Sequence, residues 1–237
     1  MSKRLILIFL ILFTVACQSN EPVIVKQEQT TSSTISDPEL IESEVEQEAD
    51  QYIEFSLPYE QVVINLKMVP ILNEFLHFID DKEKAVEKMN LLPIHLGEST
   101  IYLLEFSCQQ NQCSYLVLDQ SKDNPTYLIA DLAKYAYTSI SPDKTMMFIK
   151  FNRKTSLSLP VTDLVIIDLE HWNILPLKSQ SGKEFLNYKW PINTVTWINE
   201  TTLLAHIPKM DELTEDNILD WKNSGNQTAE VIFQIEN

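Results

Sequence analysis

The sequence predicts a mainly β protein made of antiparallel strands, with one or two short helices ahead of most of them. Two observations carry this prediction. Ten short apolar segments, separated by turn-forming residues, follow one another between residues 101 and 235. Helical periodicity is confined to residues 70–89 and to a short stretch near residue 220. Short strands at close spacing, with no long helices between them, are typical of antiparallel sheets.

The predicted folded domain covers residues 51–237 and opens with strands at 52–57 and 62–66. The helical stretch at 70–89 follows, because Pro70 suits the first turn of a helix and apolar residues then recur at helical spacing. A last helix is predicted at 214–223. Ten further strands are predicted at 101–108, 113–119, 126–131, 137–140, 146–151, 164–169, 174–177, 194–198, 203–207 and 230–235.

The first 17 residues have the pattern of an export signal. A basic start is followed by an unbroken apolar run at 5–13, which is too short to span a bilayer. Small residues then lead into Cys17. The segment from Thr14 to Cys17 resembles the lipobox of bacterial lipoprotein precursors, with Thr14 standing where leucine is usual.

The resemblance implies how the chain would be processed. Residues 1–16 would be removed as a signal peptide, and Cys17 would carry a diacylglycerol on its thiol and an acyl chain such as palmitate on its new amino group. Two or more acyl chains hold a protein stably at a bilayer. The resemblance therefore implies anchoring at the extracytoplasmic face of the cell membrane, whereas an ordinary signal peptide with an incidental cysteine would leave no lipid anchor.

Residues 17–50 are predicted to form a disordered acidic tether between the lipidated cysteine and the domain. Gln, Glu, Ser and Thr dominate this segment, which has no aromatic residue, no glycine and a single lysine, Lys26. Such a composition cannot bury enough apolar surface to offset the entropy of ordering the chain. Mutual repulsion of the acidic side chains would extend the segment.

The formal net charge of −16 excludes some classes of partner. A surface this acidic repels nucleic acid and the headgroups of anionic lipids. We therefore expect no nucleic-acid partner, and we expect attachment to a membrane to depend on the lipid at Cys17.

The two other cysteines, Cys108 and Cys113, flank a polar loop between two strand-like segments. They would face each other across the neck of a hairpin, at a separation that a disulfide can bridge. The alternative is a Cys-x4-Cys metal or redox site. No histidine is near in sequence, the spacing is not Cys-x-x-Cys, and an exported location favours oxidation, so we expect a structural disulfide and no metal.

A faint internal repeat also runs through the strand-rich part. Residues 141–148 align with residues 197–204, and each copy reads as strand, turn, strand. The first copy, Ser141-Pro-Asp-Lys-Thr145, resembles the Ser-Pro-Asp-Gly turn of TolB-like and related WD40-like bacterial propellers, with Lys144 in place of glycine. The resemblance implies a propeller-like domain. Because the chain supplies only two to three such units, a sandwich-like arrangement of stacked sheets is the alternative.

Sequence motifs of nucleotide-binding, protease or esterase sites are absent, and the four histidines are widely separated. Acids that bracket strand ends could line one rim: Asp119, Asp131, Asp163 and Asp168. Trp172 lies at a predicted turn and Trp190 precedes a proline, so both are candidates for an exposed surface that recognises peptide or glycan. Packing in the core is the alternative for each tryptophan.

These features favour a membrane-anchored extracytoplasmic lipoprotein that acts as a non-catalytic binding or scaffolding module. Its expected partners are the membrane, through the lipid, and an envelope protein or glycan. No catalytic residue, cofactor or metal is expected. The alternative function is an extracytoplasmic hydrolase that uses carboxylates from the loops of the β domain.

Overall fold

The computed structural model describes residues 23–28, 37–42, 51–97, 99–120 and 125–236 and shows a mainly β, antiparallel fold with few helices. The predicted signal peptide and Cys17 lie outside the described residues. The helices are α1 (Pro70–His77), α2 (Lys82–Val86) and α3 (Glu215–Asn223). The strands are β1 (Ile24–Glu28), β2 (Glu39–Glu42), β3 (Gln51–Ser56), β4 (Glu60–Asn65), β5 (Asn90–His95), β6 (Thr100–Gln109), β7 (Gln112–Leu118), β8 (Tyr127–Ile140), β9 (Met146–Arg153), β10 (Val161–Asp168), β11 (Asn173–Leu175), β12 (Leu177–Ser179), β13 (Thr194–Asn199), β14 (Thr202–Pro208) and β15 (Thr228–Ile235).

The strands form three antiparallel sheets. Sheet 1 has the order β1-β4-β3-β2, and sheet 3 has the order β12-β15-β14-β13. Sheet 2 is a seven-stranded meander in which β5 to β11 follow one another in chain order. None of the helices in the described residues has the length and apolar character that a membrane span requires.

Three apolar cores separate successive layers of strands. Core 1 lies between sheet 1, the helices α1 and α2, and one face of β6 and β7, and it contains Tyr102 and Leu104. Core 2 joins the other face of β6 and β7, including Leu103, to β9 and β10 within the same sheet. Core 3 joins the remaining face of β9 and β10, including Phe148, to sheet 3. Both halves of sheet 2 are therefore buried on two faces, which explains their continuous apolar runs.

Sheet 2 can bury itself in this way because β8 bends. The predicted strands at 126–131 and 137–140 are one strand of 14 residues. Its first part pairs with β7 and its second part with β9. At the bend Leu132 has φ 46°, and the guanidinium of Arg153 donates to the carbonyls of Asp131 and Leu132. The same guanidinium lies 3.6 Å above the ring of Tyr188.

The prediction of a disordered tether over 17–50 is wrong for two parts of that segment. β1 pairs with β4, and β2 pairs with β3. Val23 and Ile24 are buried in core 1, while the Nζ of Lys26 lies 2.8 Å from a carboxylate oxygen of Glu60. A few apolar side chains and one ion pair suffice because the backbone hydrogen bonds are completed by strands that already exist. The remainder of the segment lies outside the described residues.

The sequence also missed β5, the edge strand of sheet 2. Pro93 lies in its centre and reads as a strand breaker, but a proline is tolerated on an edge strand, where one N–H faces away from the sheet. The predicted helices at 70–89 and 214–223 are confirmed, the first as two separate helices. Thr214 caps α3, and Gly225 follows it with φ 88°.

The turn between β8 and β9 has the hydrogen bonds that its sequence predicts. A carboxylate oxygen of Asp143 accepts from the hydroxyl of Ser141 at 2.6 Å and from the amide of Thr145 at 3.2 Å. The amide of Lys144 donates to the carbonyl of Ser141, and Lys144 itself has φ 65°. A lysine thus occupies the left-handed position that suits glycine.

We expect Lys144→Gly to stabilise the protein by about 0.5–1 kcal/mol, because glycine adopts a positive φ without the steric cost that a Cβ brings. The measurement is the free energy of unfolding in urea. Lys134→Gly is the matched control: Lys134 is an exposed strand residue without a positive φ, so glycine there should lower stability. Equal destabilisation by both changes would contradict the interpretation of the turn.

Candidate functional site

A groove of about 400 Å³ lies between the helices and the end of the β6–β7 hairpin. We call it the helix–hairpin groove. Three hairpin residues line one side of it: Ser107, Cys108 and Gln109. The other side is lined by Phe75, Ile79, Asp81, Lys84, Ala85 and Lys88 from the helical segment. The two sides are held together where the rings of Phe75 and Phe106 meet edge to face, with their centroids 5.2 Å apart.

The groove is locally basic in a strongly acidic protein. Lys84 and Lys88 lie on it, and within the described part of the chain neither forms an ion pair. The single acid on the groove, Asp81, accepts a hydrogen bond from the amide of Lys84 and so caps α2. Phe75, Ile79 and Ala85 add an apolar floor. The arrangement therefore suits a ligand with an anionic group and an apolar part.

The predicted disulfide between Cys108 and Cys113 is present. The hairpin turn is tighter than the expected four-residue loop, since Gln110 and Asn111 both have positive φ and connect paired residues on either side. A bulge in β6 sets Ser107 and Cys108 opposite Cys113. The bulge adds one residue to β6, and Ser107 within it has φ 52°. The added residue brings Cys108 level with Cys113 on the opposite strand.

The two cysteines differ in exposure. Cys113 is 4% exposed and belongs to core 2, whereas Cys108 is exposed and lines the helix–hairpin groove. One carboxylate oxygen of Glu105 lies 3.8 Å from the sulfur of Cys108. The other accepts a hydrogen bond of 2.8 Å from the hydroxyl of Tyr115, which in turn accepts from the amide of Tyr135. Burial raises the pKa of Tyr115, so this hydroxyl stays protonated as a donor.

Glu105, Cys108 and Cys113 form a group of potential metal ligands, with their ligand atoms within 4.8 Å of one another. Among the described residues no other group of three such side chains comes together. Both sulfurs are held in the disulfide, so neither can act as a thiolate ligand. The oxidised protein therefore offers no metal site here.

The two tryptophans predicted as an exposed recognition surface are buried, and that prediction is wrong. Trp172 is 3% exposed, and its indole N–H donates to the carbonyl of Pro125. Trp190 is 6% exposed in core 3, where the Nζ of Lys183 lies 4.2 Å from its ring centroid. Trp172 lies at the turn that the sequence indicates, but its φ of 52° turns the side chain into core 2.

The acids at strand ends accept hydrogen bonds from neighbouring side chains and backbone amides. Asp131 accepts from the hydroxyl of Ser114 at 2.6 Å, and Asp163 accepts from the amides of Asn187 and Leu164. Asp168 accepts from the backbone and the ring of His171. Asp119 accepts from the amide that follows it. These bonds are those of turns and strand ends, and they assign no acid to catalysis.

No sequence pattern singles out Lys150, a buried lysine in the middle of β9. It is 4% exposed and has no carboxylate at ion-pair distance among the described residues. Its Nζ donates to the side-chain oxygen of Asn152 at 3.3 Å and lies 5.6 Å from the ring centroid of Tyr137. Burial lowers the pKa of Lys150 to about 8. A lysine in an apolar strand is normally expected at an end or an edge, where its ammonium group reaches water. Lys150 is buried because sheet 3 packs over β9, and this packing is visible only in the tertiary structure.

No known family model, curated protein or solved structure matches this chain. The function therefore has to be argued from the geometry of the chain itself.

We expect the stability of the protein to rise between pH 8 and pH 10 because of Lys150. The pKa of Lys150 is lower in the folded protein than in the unfolded chain, so in this window the unfolded chain binds more protons. Unfolding then requires proton uptake, which becomes less favourable as the pH rises. The gain is about 2 kcal/mol for a shift of this size. Above pH 10 the direction reverses, because burial raises the pKa of Tyr188 to about 12 and also raises the pKa of Tyr102, Tyr115 and Tyr137.

Lys150→Met should remove this rise and should stabilise the protein by about 1–3 kcal/mol at pH 7, since the buried charge is costly. The measurement is urea unfolding at several pH values. Lys134→Met, at an exposed position on the neighbouring strand, should keep the rise. An unchanged pH dependence in Lys150→Met would show that another group is responsible.

Proposed function

We propose that the protein is a lipid-anchored, extracytoplasmic binding module whose ligand site is the helix–hairpin groove. The observation that carries the proposal is the pair of unpaired lysines, Lys84 and Lys88, on a groove of a protein with a net charge of −16. Local positive charge in such a surface gives a clear preference for an anionic ligand over a cationic one. The ligand class proposed is an acidic segment of an envelope protein.

Two features support the location. The segment from Thr14 to Cys17 resembles a lipobox, and the Cys108–Cys113 disulfide is of a kind that persists in oxidising compartments. Cys17 is proposed as the lipidated residue that holds the domain at the extracytoplasmic face of the membrane. The other proposed partner class, a glycan, loses its support because Trp172 and Trp190 are buried.

The sheets are proposed to form an open, propeller-like array. Four consecutive groups of four strands, two of which share β8, are separated by three cores, as neighbouring blades of a propeller are. The Ser141–Thr145 turn joins β8 to β9 within the third group. A hydrolase is not proposed, because the strand-end acids are engaged in local hydrogen bonds.

The anchor is tested by comparing wild type with Cys17→Ala, both expressed in a bacterial host. Wild type should partition into the detergent phase of Triton X-114 with an intact mass that begins at Cys17 and includes lipid. Cys17→Ala should stay in the aqueous phase, and Ser19→Ala should behave as wild type. An unmodified, water-soluble wild-type product would contradict the proposed anchor.

The groove is tested with a short peptide of glutamates around a central leucine, followed by NMR chemical-shift changes. Shifts should concentrate at the helix–hairpin groove and weaken with added salt. Reversal of both charges, Lys84→Glu with Lys88→Glu, should weaken binding at least tenfold. Reversal of two exposed lysines on other strands and loops, Lys134→Glu with Lys154→Glu, should not. Equal binding of a lysine-rich peptide would contradict the proposal.

A further inference from the structure

We propose that Cys108–Cys113 is an exchangeable, redox-active disulfide that reacts with dithiols through the sulfur of Cys108, and not only a structural cross-link. This inference goes beyond ligand binding at the groove and does not depend on it. It rests on two features of the hairpin end: unequal exposure of the sulfurs, and lysines on the groove from which a thiol would approach.

The unequal exposure decides which sulfur is attacked. Cys108 is exposed on a groove with room for a small thiol, whereas Cys113 is 4% exposed within core 2. Exchange requires a thiolate to reach one sulfur and to expel the other. Attack at Cys108 is open to solvent, and attack at Cys113 is closed by the packing of core 2.

The chemistry balances with a dithiol as the reductant. One thiolate of the dithiol forms a bond to the sulfur of Cys108, the Cys108–Cys113 bond breaks, and Cys113 leaves as a thiolate. The second thiolate of the dithiol then attacks the dithiol sulfur that is bonded to Cys108, which releases Cys108 as a thiolate. The dithiol becomes a disulfide, the protein gains two electrons, and two protons pass to the cysteine thiolates.

The surroundings serve each leaving group differently. A thiolate of Cys113 within core 2 is costly without a proton, and a carboxyl oxygen of Glu105 lies within 4.8 Å of it. Tyr115 holds that carboxyl in place through its hydroxyl hydrogen bond of 2.8 Å. A thiolate of Cys108 instead faces the groove that carries Lys84 and Lys88, and nearby cations favour a thiolate. Tyr115 is thus a positioning residue for the Glu105 carboxyl group, and the proton that Cys113 takes up comes from the dithiol.

The first test needs only one substitution away from the site. Full-length Cys17→Ala, whose two cysteines are Cys108 and Cys113, is treated with dithiothreitol, quenched with iodoacetamide and measured by intact mass. The rate is compared with that of the same chain unfolded in guanidinium. We expect the native rate to lie within tenfold of the unfolded rate. Protection of the native disulfide by more than tenfold would overturn the proposal and leave a structural cross-link.

The second test asks which sulfur reacts. When Cys113→Ala is combined with Cys17→Ala, the remaining thiol is Cys108, and it should form a mixed disulfide with an aromatic disulfide reagent at least ten times faster than Cys113 does in Cys108→Ala with Cys17→Ala. Equal rates, or a faster Cys113, would overturn the assigned direction. If either variant is unfolded by circular dichroism, the first test, which compares reduction of the disulfide in native and unfolded Cys17→Ala, still decides the proposal.

The third test addresses Glu105, whose carboxyl group accepts from Tyr115 and lies 3.8 Å from the sulfur of Cys108. A negative charge at this place opposes the approach of a thiolate, so Glu105→Gln should speed native reduction several-fold. Glu87→Gln, at an exposed position on the adjacent helical segment, is the matched control and should leave the rate unchanged. An equal or slower rate in Glu105→Gln would overturn attack at the sulfur beside this carboxyl group.

Discussion

The structure depends on one packing constraint: both halves of sheet 2 are buried on two faces. Adjacent side chains of β6, such as Leu103 and Leu104, point into core 2 and core 1, and Phe148 and Ile149 of β9 divide in the same way between core 3 and core 2. A slip of one residue in the register would exchange the contents of two cores at once. The bend at Leu132, which Arg153 secures through two carbonyls, is what lets a single meander supply both layers.

The same packing constraint determines which groups surround the polar side chains on the central strands. Lys150 lies on a strand whose two faces are covered, so its ammonium group is left with one amide oxygen and one aromatic ring. Asp163 is stabilised there by two backbone amides while burial raises its pKa. Trp190 has no acceptor for its indole N–H within the described part of the chain. The interior therefore holds polar groups that packing largely shields from solvent.

Accessible chemistry is confined to the places where the layers end. The β6–β7 hairpin runs past core 1 and core 2, and its end meets α1 and α2 at the helix–hairpin groove. The bulge at Ser107 shifts Cys108 out to this groove while Cys113 stays in core 2. The lysines and the disulfide thus share one groove, which Cys108 lines, whereas the proposed anchor is at Cys17. A lipid at Cys17 would fix the location, the lysines would select a ligand, and the hairpin end would respond to thiols.

The sequence by itself determined the antiparallel β class, the three helical stretches, the Ser141–Thr145 turn and the Cys108–Cys113 disulfide, because each follows from local periodicity, turn chemistry or short spacing. The tertiary structure alone decided the rest. β1, β2 and β5 have weak local signals and form because neighbouring strands complete their hydrogen bonds. The helix–hairpin groove joins residues about 25 positions apart, and Trp172, Trp190 and Lys150 are buried by distant segments. Burial is a property of the packed layers, so no local pattern of residues reports it.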